Sequence, residues 1–356
     1  MSTRTVIVWI WKKTGLLCAT AVLVLVIGDI QTRLPFIPPR LEYQPDRELK
    51  GIFKPEQHGF LWLANQSMKS LPMTVNRDGY RGADTDWSRK DVLALGSSES
   101  FGTGVRDDEV WTAVLQKMLN DGQAAWSVAN VGGPGLGAYQ QDEVLRRIQA
   151  KSIRPDVILV RVSIGDRNFG PIPEHLREGQ YQASLKRHRI RRITTFLPYL
   201  YSKVQVQIPS MKRACRPIFM QPPIIPAYYG ERQAGEEMAD KDTVYWEQMV
   251  TRAEAMGSTI VFLVHDPHGF DSSAVLLERL EALCRNHAGA RVVQLGPAVY
   301  GMDRIPAEQR EVHFNQNLTL VRDPHANALQ HRLTGEAVGR WLRETRILDA
   351  RTSEAL

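Results

Sequence analysis

Cysteine is scarce in this chain: Cys18, Cys215 and Cys284 are the only three in 356 residues. So few exclude a disulfide-stapled scaffold. Cys215 and Cys284 can pair in an oxidising compartment, but no sequence feature gives their geometry, and two separate buried thiols are the default expectation. Zinc-finger spacing, an RNA-recognition signature and internal repeats are missing as well. Charge of one sign is also lacking. The 45 Lys and Arg face 39 Asp and Glu, so a formal net charge of +6 permits anionic partners without indicating nucleic acid. What remains is an ordinary globular composition, 43% hydrophobic and 24% charged, long enough for one large α/β domain or two small ones.

One long apolar run is present, residues 14–30, with no charge before Asp29 and with Arg4, Lys12 and Lys13 ahead of it. It is short for a membrane-spanning helix and long for a signal-peptide core. No small-x-small cleavage site follows, since the chain continues Asp29-Ile-Gln-Thr-Arg-Leu-Pro35. The expectation is therefore an uncleaved, single-pass signal-anchor in the inner (cytoplasmic) membrane. The leading basic residues keep the amino terminus inside and send the domain to the extracytoplasmic, periplasmic side. A buried helix of a soluble domain is the competing reading. Residues 31–73, rich in proline and charge, read as linker and lead-in, and residues 74–348 as the main domain.

Within that domain strand and helix signals alternate. Apolar strands are expected at 91–96, 126–131, 157–164, 259–264 and 291–295, and helices at 109–119, 139–150, 274–286 and 328–345. Strands apolar on both faces, alternating with helices, predict an α/β fold, a three-layer α/β/α sandwich around a central parallel sheet. The stretch at about 170–256 breaks the alternation. With its basic block at 186–192 and its prolines at 222, 223 and 226, it reads as a helical lid inserted over the carboxyl edge of the sheet. The basic block either holds an anionic lipid or acidic polymer, or is a solvated helix face.

Four segments carry possible chemistry. In Asp91-Val-Leu-Ala-Leu-Gly-Ser-Ser-Glu-Ser-Phe-Gly-Thr-Gly-Val105 a buried strand ends in a Gly/Ser turn. A hydroxyl there is a nucleophile if a base lies within reach, or else a helix N-cap. In Asn130-Val-Gly-Gly-Pro-Gly-Leu-Gly137 the glycines let backbone N–H groups approach a developing anion; the spacing is that of neither a dinucleotide fingerprint nor a P-loop. In Asp323-Pro-His325 a carboxylate two residues from an imidazole can fix its tautomer. In Val264-His-Asp-Pro-His-Gly-Phe-Asp271 a His/Asp cluster stands at a strand's carboxyl end. Its spacing fits no standard zinc pattern. A structural turn, substrate contact through His265 and Asp266, and a metal site from His265, Asp266, His268 and Asp271 are all open.

Taken in order, these blocks resemble the SGNH/GDSL hydrolase superfamily, of the membrane-anchored bacterial type. Gly96-Ser97-Ser98 with Phe101-Gly-Thr-Gly-Val105 is similar to the nucleophile block, Asn130 to Gly135 to the second block, and Asp323-Pro-His325-Ala-Asn327 to the terminal block. Asn76-Arg-Asp-Gly-Tyr-Arg81 resembles the lead-in of anchored members. The resemblance implies Ser98, His325 and Asp323 as catalytic residues and an oxyanion hole from the backbone of Ser98 and Gly135 with a third donor. It implies no cofactor and no metal. Two departures stand out: Ser97 replaces the family's Asp, and Asp166 falls where the oxyanion-hole Asn belongs, with Arg167 and Asn168 after it. An ionised carboxylate has no proton to donate, so the third donor is a protonated Asp166 or Asn168, with Arg167 a source of positive charge. The implied activity is a serine ester hydrolase or O-acyltransferase. Its partners would be an acylated envelope polysaccharide, a glycolipid or a small ester, and the membrane through the N-terminal helix, with no nucleic acid. The alternative is a catalytically silent SGNH-like module that binds polysaccharide or organises an envelope assembly.

Overall fold

The computed structural model describes residues 41, 43–44, 46, 48–49, 52–53, 55–61, 71–87, 91–121, 126–163, 232–320 and 323–348, and outside these only 14–15, 20–23 and 182. The chain divides into two units, residues 1–39 with 182–220 and residues 40–181 with 221–356. Every strand and helix of the sheet domain lies in the second.

Four short strands lead in. β1 (Tyr43–Gln44) pairs antiparallel with β2 (Ile52–Phe53), and β3 (Gln57–Leu61) with β4 (Leu71–Val75). The central sheet follows: β5 (Asp91–Leu95), β6 (Ser127–Asn130), β7 (Val157–Ser163), β8 (Thr259–His265) and β9 (Ala290–Leu295), all parallel, in the order β6-β5-β7-β8-β9. The helices are α1 (Ser98–Phe101), α2 (Trp111–Leu119), α3 (Ala138–Ala150), α4 (Arg232–Met256), α5 (Asp271–Arg285), α6 (Ala307–Asn317) and α7 (Ala328–Glu344). A small antiparallel pair, β10 (Thr319–Leu320) and β11 (Asp323–Ala326), precedes α7. From β5 the chain runs outward to β6 and then crosses back to β7. The order therefore reverses at β5, and the carboxyl ends of β5 and β7 flank the crevice where open α/β sheets keep their sites.

The mixed α/β class and the parallel sheet are as expected, and helices cover both faces. One face packs Leu93, Leu95, Ile158, Val160, Phe262 and Val264 against Leu145 and Ile148 of α3, Trp246 and Met249 of α4, and Leu280 of α5. The other packs Val92, Ala94, Leu159, Val261 and Leu263 against Trp111 and Leu115 of α2 and Val338 and Leu342 of α7.

Two boundaries differ from expectation. Part of the supposed linker is folded onto the domain. Leu41 and Phe53 are buried with Met73, Val75 and Phe101, and both Asp46 carboxylate oxygens accept from Arg147 of α3, at 2.8 and 2.9 Å. Proline and charge made this stretch read as solvated, because its attachment is an ion pair to a residue 101 positions away. The supposed insertion also ends early. Residues 232–256 are α4, the crossover helix between β7 and β8, with Trp246, Met249, Val250 and Ala253 fully buried.

The basic block at 186–192, the prolines at 222–226, Cys18 and Cys215 lie outside the described residues. Of the expected anchor only 14–15 and 20–23 are described. Among the described residues no helix is long and apolar enough to cross a membrane. Cys284 is a free, half-buried thiol on α5, and burial pushes its pKa up to about 11.

Candidate active site

β5 stops at Gly96, where φ is 148° and a Cβ would fall 2.1 Å from Ser100 Oγ; only glycine fits. Ser97 takes the N-cap position of α1 without a side-chain cap bond, and Ser98 opens the helix. Four residues are too few for a helix to hold its own place, so the neighbours hold α1. Ser100 Oγ donates to Leu95 O at 3.2 Å. Asn130, at the end of β6, donates through Nδ2 to Ser100 O at 2.8 Å and accepts the Gly132 N–H through Oδ1 at 3.1 Å.

Arg81 secures the chain beyond α1. Its buried guanidinium donates to the carbonyls of Phe101 (2.8 Å), Gly102 and Val105 (2.6 Å) and pairs with Asp107 at 2.9 Å. The lead-in motif thus serves as a brace. Asn76 Oδ1 accepts the N–H groups of Asp78 and Tyr80 to form the turn that delivers Arg81.

His325 arrives from the other end of the chain. β11 pairs with β10, and Asn327, just past the strand, closes both sides of the junction. Its Oδ1 accepts the Gln330 N–H at 3.0 Å to cap α7, and its Nδ2 donates to Asn317 O at 2.8 Å. So held, His325 Nε2 lies 2.9 Å from Ser98 Oγ, across 227 residues of sequence. Both side chains are half-buried and open to a substrate. The Ser98 hydroxyl meets an imidazole rather than capping a helix.

The other expected site residues fall as follows. Gly135 is exposed at φ 77° in the loop from β6 to α3. Gly133, in the same loop, donates to Gly96 O at 3.1 Å, laying the loop against the turn that carries Ser98. Asp323 is placed by its backbone in β11, paired with Leu320; its side chain, and all of Asp166, Arg167 and Asn168, lie outside the described residues.

His265 and Asp266, expected against substrate, are buried at 5% and 2% exposure and turned inward. His265 follows Val261 and Leu263 on the α2–α7 face of β8, so strand alternation sends it under the site, where Nε2 lies 2.9 Å from Gln330 Nε2. Burial, reinforced by Arg161, His268 and His331, holds its imidazole well below the ordinary histidine value. Asp266 builds a turn by accepting the N–H groups of Gly269 (2.8 Å) and Phe270 (3.0 Å); burial raises its pKa despite those bonds. His268 is stacked on Phe270 with centroids 4.6 Å apart, and burial takes its pKa down to about 4. Among the described residues no group of three or more His, Cys, Asp or Glu side chains can hold a metal ion.

Two residues near the site escaped sequence reasoning. Glu99, adjacent to Ser98, and Arg161, in the middle of β7, form an ion pair at 2.7 Å with Arg161 only 2% exposed. The signal was Arg161 itself, since a charge inside a strand apolar on both faces requires a buried partner.

No family model matches the chain, and no curated protein does. Solved structures do. TesA is 15% identical, with a TM-score of 0.41 over 71% of this chain and 98% of its own. A member of the lipolytic protein G-D-S-L family from Veillonella parvula DSM 2008 is 9% identical, with a TM-score of 0.35 over 74% of this chain and 98% of its own. The salicylyl-acyltransferase SsfX3 from a tetracycline biosynthetic pathway is 13% identical, with a TM-score of 0.39 over 76% of this chain and 59% of its own. The structures it resembles include G-D-S-L lipolytic proteins. The meeting of Ser98 with His325 stands independently of these likenesses.

Proposed function

We propose that this chain is a serine ester hydrolase or O-acyltransferase of the SGNH/GDSL type, acting on an acylated cell-envelope polysaccharide or glycolipid. The observation that carries the reading is the 2.9 Å contact between Ser98 Oγ and His325 Nε2. A serine is a weak nucleophile until an adjacent base takes its proton.

In this reading Ser98 attacks the ester carbonyl as His325 Nε2 accepts the hydroxyl proton. The backbone N–H groups of Ser98 and Gly135 donate to the oxyanion, with Asp166 or Asn168 as the third donor. Collapse breaks the bond to the leaving alkoxide, which takes the proton from His325 and departs as an alcohol. Water, or a sugar hydroxyl in the transfer reaction, then attacks the acyl-enzyme while His325 again accepts and returns a proton. Asp323, two residues from His325, orients the imidazole with Nε2 facing the serine. The envelope substrate follows from the proposed membrane anchor at residues 14–30, which would hold the domain on the extracytoplasmic side.

The test is labelling of the full-length protein by a fluorophosphonate probe together with turnover of a chromogenic acetyl ester. Both are expected in the wild type, and Ser98→Ala is expected to abolish labelling and cut turnover by roughly a thousandfold or more. A folded wild-type protein that neither labels nor turns over would overturn the reading in favour of a silent polysaccharide-binding module.

A further inference from the structure

Beneath the Ser98–His325 contact lies a layer of buried polar side chains that the proposed reaction does not use. Alternation along β7 sends Leu159, Arg161 and Ser163 to the α2–α7 face, so Arg161 enters this buried polar layer above the apolar start of the strand. Among the described residues its carboxylate partner is Glu99, with Nη2 2.7 Å from Oε2. The same Oε2 lies 3.5 Å from His265 Nδ1, an electrostatic contact too long for a formed hydrogen bond. On its other side His265 meets the Gln330 amide at 2.9 Å. With the Gln330 amide nitrogen as donor, His265 Nε2 is the acceptor and Nδ1 is the ring nitrogen that faces Glu99. Gln330 belongs to the first turn of α7, whose N-cap Asn327 is two residues from His325.

A continuous chain of polar contacts thus runs from the residue beside the nucleophile to the helix that follows the base. We infer that the Glu99–Arg161 ion pair, tied through His265 and Gln330 to the start of α7, is a positioning device that sets Ser98 against His325.

Successive helix residues project about 100° apart, so fixing Glu99 fixes the rotation of α1. The remaining side chains agree with that rotation. Ser100 is bonded to Leu95 O, and Phe101 stacks on Phe53 with centroids 5.0 Å apart, leaving Ser98 to face the site. Arg161 and Gln330 touch no reacting atom; their part is to place the residues that do.

The catalytic consequence rests on the serine-hydrolase reading, but the geometry has its own readout. In full-length protein labelled with ¹⁵N-histidine, the His325 imidazole signals report its hydrogen bond to Ser98 whether or not any ester is turned over. The variant to compare with wild type is Glu99→Gln/Arg161→Met, in which both buried charges are removed together. It is expected to keep its urea midpoint, lose roughly a hundredfold in kcat with KM within about threefold, and move the His325 signals toward those of Ser98→Ala. A folded double variant with unmoved His325 signals overturns the inference, whatever its turnover. If wild type turns over no ester, the same signals decide: moved they uphold the positioning role, unmoved they reject it. Should the double variant not fold, His265→Asn keeps a donor toward Glu99 and drops the link to Gln330. A partial shift of the His325 signals with about tenfold lower kcat is expected there, and unmoved signals again overturn the proposal.

Discussion

The two faces of the sheet are built to different rules. On the side of α3, α4 and α5 the strands present Leu93, Leu95, Ile158, Val160, Phe262 and Val264, an apolar layer from end to end. On the side of α2 and α7 the same strands begin apolar, with Val92, Leu159 and Val261. They finish polar, with Arg161 and His265 buried beneath Ser98 and joined there by Gln330 and His331 of α7. Period-two alternation lets one strand do both: β7 gives Val160 and Val162 to one face and Arg161 and Ser163 to the other. Apolar burial is roughly additive and non-directional, whereas a buried charge is tolerated only with its partner in place. The first face therefore supplies stability, and the second supplies stability only while its geometry is right. That geometry is what Ser98 and His325, meeting from opposite ends of the chain, require.

The sharpest break of the comparison is Phe262→Ala. Phe262 is fully buried on the apolar face, edge to face with Trp246 at 6.5 Å between centroids. The cavity is expected to cost about 3–5 kcal/mol in urea unfolding. Turnover per folded molecule, corrected by active-site titration, should stay at the wild-type level. A fall in turnover beyond the loss of folded protein would show that the two faces are not separable.

The difference between the faces also explains what could be read in advance. β5, β7 and β8 were visible as short apolar runs because helices cover them on both sides, and α3, α5 and α7 as helical periodicities because each has one apolar stripe. The turn at Ser98 and the His325 that faces it were legible because glycines, serines and an Asp-x-His pair mark them locally. Long-range charge leaves no local mark. Nothing near Asp46 announces Arg147, so a folded lead-in read as linker, and nothing near Arg161 announces Glu99. α4 was hidden for another reason: charged residues crowd its exposed surface and several of its buried positions are Ala or Gly, which blurs the stripe. For His265 and Asp266 substrate contact stayed open beside a structural turn because a His/Asp cluster at a strand's carboxyl end occupies the usual ligand position. Counting in twos from Val261 would have turned His265 inward.

The pH dependence of stability separates the faces further. His265, His268 and His331 are all buried with pKa values held below the ordinary 6.5, His268 at about 4, with burial the largest cause in each. On unfolding they regain the ordinary value, so below pH 6.5 the unfolded chain binds protons that the folded one refuses. Stability is therefore full above about pH 6.5 and falls as pH drops toward the folded values, by up to about 1.4 kcal/mol per pH unit for each histidine. Urea midpoints at pH 7, 6 and 5 should trace that loss. His268→Leu should make that slope shallower. An unchanged slope would mean that His268 is protonated in the folded protein.

The smallest effect expected concerns the cap that joins the His325 segment to its helix. Asn327 caps α7 through Oδ1 and ties the β11 junction to Asn317 through Nδ2, so Asn327→Ala removes both bonds at once. Loss of a cap costs about 1 kcal/mol, well below the cavity at Phe262. Its effect on the site should nevertheless be the larger of the two, because the cap lies two residues from His325 on the face where geometry matters. The measurement is kcat against urea midpoint for Asn327→Ala and Asn327→Ser. Serine restores the cap but not the second bond, so it should recover the midpoint and only part of the turnover. If serine recovers both fully, the cap alone holds His325, and the bond to Asn317 adds nothing to its placement.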